Sequence, residues 1–215
     1  TDSNDAKYLV ASCRFVSMAD PHLAALQYSI TPLTSDTTIE IESRLDGSVS
    51  NNGVPRYREL SSQQLLPVEK RVNGDALYLS ASTNQSQIKI AEVAHHRVTI
   101  SSLINQSKSE VGASEEVSVT WNESSYENQA ATSARISVKK GQTVTLEKFV
   151  GLATSKESFS PEETAITASE KFSNFAQCHL AHKEAWKAIW DKIDVRVDGD
   201  RFAQKILRLH AYHLL

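Results

Sequence analysis

The feature that most constrains this chain is a change of hydrophobic period near Ser160. Before it, apolar residues alternate with polar ones; after it, they recur every three or four positions. In the run 23–33, Leu26, Tyr28 and Ile30 face one way and Gln27, Ser29 and Thr31 the other. Pro32 ends the run because it has no N–H to give to a ladder. Residues 37–45 alternate again, with Ile39 and Ile41 opposed to Glu40 and Glu42. Further strands are expected over 8–18, 76–82, 87–93, 98–104, 116–121, 134–138 and 143–151. Asp46-Gly47 and Asn52-Gly53 are turn pairs, and Gly141 marks a hairpin into the last strand. Residues 106–113 read as an exposed loop. Short strands at this spacing predict a mainly β fold, a large antiparallel β-sandwich.

Beyond the switch, Ser160-Pro161-Glu162-Glu163 has the order of a helix start: Ser as N-cap, Pro at N1 and a carboxylate at N3 to close a capping box. Ala168, Phe172, Phe175, Trp186, Ile189 and Trp190 then keep helical spacing, which predicts one helix to about Lys192. An extended piece over 194–197 and a turn at Asp198-Gly199-Asp200 lead to a last helix striped by Phe202, Ile206, Leu209 and His213. No Gly, Asn or Pro closes that helix, so the end reads as a cut through a longer chain. The expected division is a β-sandwich over 1–158 and a pair of helices over 159–215.

With 215 residues, 40% of them hydrophobic, the chain can bury a core without disulfide or metal. A net charge of −3 and a pI near 6.2 exclude the basic excess of a non-specific nucleic-acid binder. No run approaches the ~20 apolar residues of a membrane span. Cys13 and Cys178 could pair in a disulfide, but the reading preferred is a pair of free, buried thiols. The polar, acidic start carries no secretory signal and no initiator Met, as in a processed chain or a piece of a longer one. The expectation is cytoplasmic, with periplasmic or secreted as alternatives.

No phosphate-binding loop, dinucleotide fingerprint, nucleophile elbow or zinc signature occurs. No metal site and no cofactor are expected. His179 and His182, at i and i+3, could share a metal, but the reading preferred is a polar break in an interface, each ring donating to a backbone carbonyl. His210 and His213 repeat the pattern with the same reading. His95 and His96 are adjacent in a strand and must point to opposite faces. Glu40 and Glu42 share the solvated face of their strand rather than forming a catalytic pair, and Glu162 and Glu163 serve a helix N-terminus. Trp186 and Trp190, one turn apart, are assigned to packing rather than to a sugar platform. Asn51, Asn52, Arg56, Tyr57 and Arg58 form a polar, aromatic-bearing loop, read as solvated.

Several segments together resemble the N-terminal region of glycoside hydrolase family 65. They are Arg14-Phe15-Val16-Ser17-Met18 with Asp20 and His22-Leu23-Ala24-Ala25; Tyr28-Ser29-Ile30-Thr31-Pro32-Leu33; and Ser43-Arg44-Leu45-Asp46-Gly47 with Asn52-Gly53 and Arg56-Tyr57. Then come His182, Ala185-Trp186, Ile189-Trp190, Asp194-Val195, Gly199-Asp200, Gln204, Leu207-Arg208 and Tyr212-His213-Leu214. The resemblance implies part of an N-terminal β-sandwich, incomplete at its start, then helical linkers and the first helix of an (α/α)6 catalytic barrel. It implies a parent enzyme that cleaves maltose, kojibiose, nigerose or trehalose by inverting phosphorolysis or by hydrolysis. Inorganic phosphate would be the co-substrate of a phosphorylase, and a homodimer the assembly. The family's general-acid Glu and phosphate-binding residues lie in the barrel, and no segment here matches them, so no catalytic residue carries over. The alternative is a stand-alone carbohydrate-binding or adhesive β-sandwich, against which the uncapped helical tail speaks.

Overall fold

The computed structural model describes residues 6–50, 64–102 and 114–214. In chain order these form β1 (Tyr8–Val16), β2 (Leu23–Pro32), β3 (Thr37–Asp46), β4 (Leu65–Asn73), β5 (Ala76–Thr83), β6 (Lys89–Ser102) and β7 (Ser114–Glu116). Then follow β8 (Asn122–Tyr126), β9 (Gln129–Val138), β10 (Gln142–Thr154), α1 (Pro161–Ser169), α2 (Phe175–Ile193) and α3 (Arg201–His213). The larger, seven-stranded sheet runs β1-β2-β10-β6-β5-β4, with β7 also on β6; the smaller runs β3-β9-β8. All pairings are antiparallel. The mainly β, antiparallel architecture expected from the alternation is the one observed.

The small sheet covers only part of the large one. Ile39, Ile136 and Val138 pack on Val98, Val144 and Leu146, and Leu45 and Ala130 on Leu77, Leu79 and Ala94. β3 therefore lies over β10 and β6. The inner faces of β1 and β2 extend past it: Val10, Ser12, Arg14 and Val16 share a face with Ile30, Tyr28, Leu26 and Ala24 by register.

Helices take the opposite face. α1 lies across β10 and β6, joining Ala165 and Ile166 to Ala91, Val93 and Ala153. Gly151 is what allows this approach, since a Cβ there would stand 1.8 Å from the Ala165 carbonyl oxygen. α2 begins by burying Phe175 and Cys178 against Leu23, Ala25 and Phe149. α3 has no buried residue. It is held by Asp200, whose Oδ1 accepts from the N–H groups of Phe202 and Ala203 at 2.9 and 3.0 Å, and by the bidentate Arg208–Asp194 pair at 2.8 and 2.6 Å.

The structure departs from the sequence expectations at several places. The capping box does not form: Ser160 makes no side-chain cap bond, and Ser158 Oγ instead accepts from the Ser160 N–H at 3.1 Å. The expected 30-residue helix is two. Ser169 Oγ commits to the Ile166 carbonyl at 2.8 Å, and Asn174 Oδ1 accepts from the Gln177 N–H at 2.9 Å and so starts a new helix. The expected runs 87–93 and 98–104 meet in one strand, Lys89–Ser102, because His95, His96 and Arg97 continue the ladder opposite Phe149, Lys148 and Glu147; residues 103 and 104 lie outside the described residues. β4 went unforeseen; Pro67 and the bulge between Pro67 and Glu69 break its alternation. Residues 117–121 are not strand, although Val119 and Trp121 pack on the core. Gly141 does take a positive φ of 78°, yet β9 and β10 join different sheets, so the turn crosses the sandwich rather than making a hairpin. The two thiols are free, but only Cys178 is buried.

Candidate functional site

Two buried polar positions stand out, one on each face of the large sheet. On the inner face, His96 Nε2 lies 2.7 Å from Ser43 Oγ, and its Nδ1 meets the Asp75 carbonyl. Because a carbonyl only accepts, Nδ1 carries the proton, and Nε2 is then the acceptor for the Ser43 hydroxyl. A hydroxyl on an acceptor imidazole oriented by a third group is the geometry of an activated nucleophile. Both residues are 6% exposed, however, and the Trp121 ring lies 5.2 Å from the imidazole. No substrate reaches the hydroxyl, so the pair is a strut between the sheets. Burial pushes the His96 pKa down to about 4, which keeps the ring neutral. Beside it, Lys148 donates to the Arg44 carbonyl at 2.9 Å, and burial lowers its pKa to about 8.

On the helix-side face, Glu147 is 6% exposed yet well partnered. It accepts from the Phe175 N–H at 3.2 Å, Gln27 Nε2 at 3.3 Å and Arg97 Nη1 at 3.4 Å. The carboxylate thus closes the N-terminus of α2, where orphan N–H groups and the helix dipole favour negative charge. Its signal in the sequence is an acidic residue within the apolar run 143–151.

Several open clefts lie on the surface of the described residues. One, about 680 Å³, lies between the 17–22 loop and α1 and is lined by Asp20, His22, Glu163, Thr164, Glu170 and Lys171 among others. Burial opposes ionisation of Asp20, but hydrogen bonds from Lys171 (2.7 Å) and the His22 N–H (3.0 Å), with the adjacent positive charge, outweigh it and hold the carboxyl below its usual range. A second cleft, about 460 Å³, joins Tyr78, Val93 and Ile166 with Arg71, His95 and Glu162. Its polar groups are engaged with one another: Arg71 lies over the Tyr78 ring at 3.9 Å and pairs with Glu162, and His95 meets Ser169 Oγ at 2.9 Å and Glu170 at 3.4 Å. A third, about 380 Å³, runs beside β3 over Leu26, Tyr28 and Ile30. A glycosidase needs one carboxyl kept protonated near neutral pH across from a second carboxylate. Among the described residues the carboxyl whose pKa is raised, by burial, is Glu92, which lines none of these clefts.

The residues singled out in the sequence fall as follows. Glu40 and Glu42 do lie on the outward face of β3, pairing with Arg135 at 3.2 Å and taking the Tyr126 hydroxyl at 2.9 Å. His95 and His96 point to opposite faces as alternation requires. His179 and His182 join a line of rings from Phe175 and Phe15 to Trp186, but His182 reverses the expected bond: its Nδ1 accepts from the Met18 N–H at 3.1 Å. Trp186 stacks on Trp190 at 6.1 Å and on Tyr212 of α3 at 5.3 Å, as packing residues would, though both indoles are only half-buried. His210 and His213 are exposed on α3. Residues Asn51, Asn52, Arg56, Tyr57 and Arg58, the Asn52-Gly53 turn and the 106–113 loop lie outside the described residues. Among the described residues, no three His, Cys, Asp or Glu side chains converge to hold a metal. No described helix is long and apolar enough to cross a membrane.

The sequence pattern of the glycosyl hydrolase family 65 N-terminal domain matches residues 1–189. The chain belongs to this family. An uncharacterized glycosyl hydrolase of Mycobacterium tuberculosis is 33% identical over 205 residues, covering 94% of this chain and 14% of its own length. Nigerose phosphorylase of Lachnoclostridium phytofermentans is 26% identical, covering 99% of this chain and 28% of itself; alpha,alpha-trehalose phosphorylase of Thermoanaerobacter brockii is 28% identical, with 94% and 25% covered. This family 65 chain thus spans between about a seventh and somewhat over a quarter of these relatives. A solved structure from human microbiome, provisionally described as a kojibiose phosphorylase, superposes with a TM-score of 0.72 at 17% identity, over 94% of this chain and 24% of that one, and shares the fold.

Proposed function

We propose that this family 65 chain is a non-catalytic scaffold of a longer enzyme that cleaves an α-glucosidic disaccharide of the maltose, kojibiose, nigerose or trehalose type by inverting phosphorolysis or by hydrolysis. The observation that carries the reading is the family match over residues 1–189. It is supported by the clefts, whose charged groups pair with each other instead of presenting a protonated acid opposite a base. In phosphorolysis a glutamic acid protonates the glycosidic oxygen while phosphate attacks the opposite face of the sugar. On this reading that acid comes from a catalytic barrel elsewhere in the parent, a homodimer, and this chain carries no catalytic residue. α3 supports the same reading: Phe202, Leu209 and Tyr212 lie exposed along a helix with no buried residue, a surface suited to burial against further protein.

The test is an activity assay on the purified chain with each disaccharide, with and without inorganic phosphate. Neither glucose nor glucose 1-phosphate should appear, whereas the longer protein should release one or both. Turnover by the chain alone would refute the scaffold reading. Saturable disaccharide binding by the chain alone would move the assignment to a carbohydrate-binding module.

A further inference from the structure

α2 is fastened to the sandwich twice. At its first turn, Phe175 and Cys178 enter the core and Glu147 takes the Phe175 N–H. Two turns on, the Met18 N–H, in the loop between β1 and β2, donates to His182 Nδ1 at 3.1 Å. An amide nitrogen only donates, so Nδ1 must be unprotonated and the ring proton must sit on Nε2. The Phe15 ring lies 4.5 Å from the imidazole and His179 stacks at 6.3 Å.

We propose that His182 is a pH-sensitive latch: its neutral imidazole ties the α2–α3 arm to the β1–β2 loop, and protonation releases it. An imidazolium has two N–H groups and no free lone pair, so it would set a donor against the Met18 N–H. The groups facing the ring offer no compensation. On α2, His179 would add like charge, while Lys183 and Glu184 are exposed. β1 presents the uncharged Phe15. On the loop, Met18 is uncharged, Asp20 is paired with Lys171 at 2.7 Å, and His22 is bonded to the Leu152 carbonyl at 3.0 Å. α3 reaches Trp186 through the Tyr212 ring, with His213 beyond it. Among the described residues no carboxylate lies within ion-pair distance of His182.

Burial, then the neighbouring His179, lowers the His182 pKa below 6.5. The unfolded chain therefore takes up this proton first. The latch is at full strength above about pH 6.5 and fails as pH falls through the lower folded-state value. Release leaves the Phe175 anchor in place, so the arm would pivot about Asn174-Phe175. α3 would follow, since it is bonded to Asp194, Val195 and Val197 at the end of α2.

The test follows the Met18 amide and the His182 ring by NMR in the intact chain from about pH 7.5 to about pH 5. The expected result is a fall of about tenfold or more in Met18 amide protection, with the midpoint of the His182 ring and not that of His22. His182→Asn, whose side-chain oxygen can accept without titrating, should hold the protection level across the range. Removing the neighbouring charge with His179→Gln should raise the midpoint. Met18 protection that does not change with pH, or that falls equally in His182→Asn, overturns the latch. If His182→Asn does not fold, the wild-type comparison of the Met18 and His182 midpoints decides.

Discussion

The two edges of the large sheet are built differently. On the β4 side both faces are covered, by the small sheet within and by α1 outside. The edge itself carries Pro67, a bulge, and Glu69, Lys70 and Arg71, with Arg71 further tied to Glu162 and Tyr78. These are the devices that keep a sheet edge from pairing with another chain. β1 has little of this: nine residues in unbroken register, no Pro, no bulge and Arg14 as its one charge. Leu9, Val10 and Val16 are exposed at 61%, 50% and 72%, and the small sheet stops short of its inner face. One flank is finished against solvent and the other is suited to a neighbour.

The largest effect that would sharpen this contrast is in the core. Leu77→Ala, at a fully buried position on the finished flank, should cost about 2–5 kcal/mol, and Val10→Ala on the open flank less than about 0.5 kcal/mol, by denaturant unfolding. Comparable losses at the two sites would erase the distinction.

Next comes pH. His96 is neutral in the fold with a pKa near 4 but titrates at about 6.5 when unfolded. Its folded value is depressed, so the stability it contributes is present above pH 6.5 and is lost as pH falls to about 4, roughly 3 kcal/mol in all. His96→Gln should flatten that limb of the stability–pH curve. An unchanged slope would mean that the inter-sheet strut is not the buried neutral imidazole described.

The smallest effect on stability is at the edges, where the readout is association. Val10→Lys should leave the unfolding free energy within about 0.5 kcal/mol of wild type yet reduce concentration-dependent self-association seen by light scattering. Arg71→Val on β4 should increase it. Equal association in all three chains would show that neither edge governs pairing.

Much of the β architecture was legible because one residue in two faced a core: the alternation of Ile39 and Ile41 with Glu40 and Glu42 already oriented β3. What alternation could not show was pairing. β6 reads in the sequence as two runs, 87–93 and 98–104, although His95, His96 and Arg97 between them each have a partner on one face or the other. The sheet switch at Gly141 leaves no local trace, since a positive φ serves a hairpin and a crossover alike. The helix break was readable in principle from Ser173-Asn174, but the apolar spacing of Phe172, Phe175 and Cys178 continues across it. Glu147 and the Ser43–His96 pair join residues far apart in the chain, and composition could mark them only as polar residues in apolar runs.

The two cysteines differ in exposure, not in the flank they lie on. Cys13 is exposed on β1, whereas Cys178 is buried against the sandwich and its thiol is pushed up to about 11 by burial. A maleimide dye at neutral pH will therefore label the folded molecule at one place, the unguarded edge. The native sequence thus carries its own reporter: whatever comes to lie along β1 will slow the labelling of Cys13 or change the colour of a dye already there.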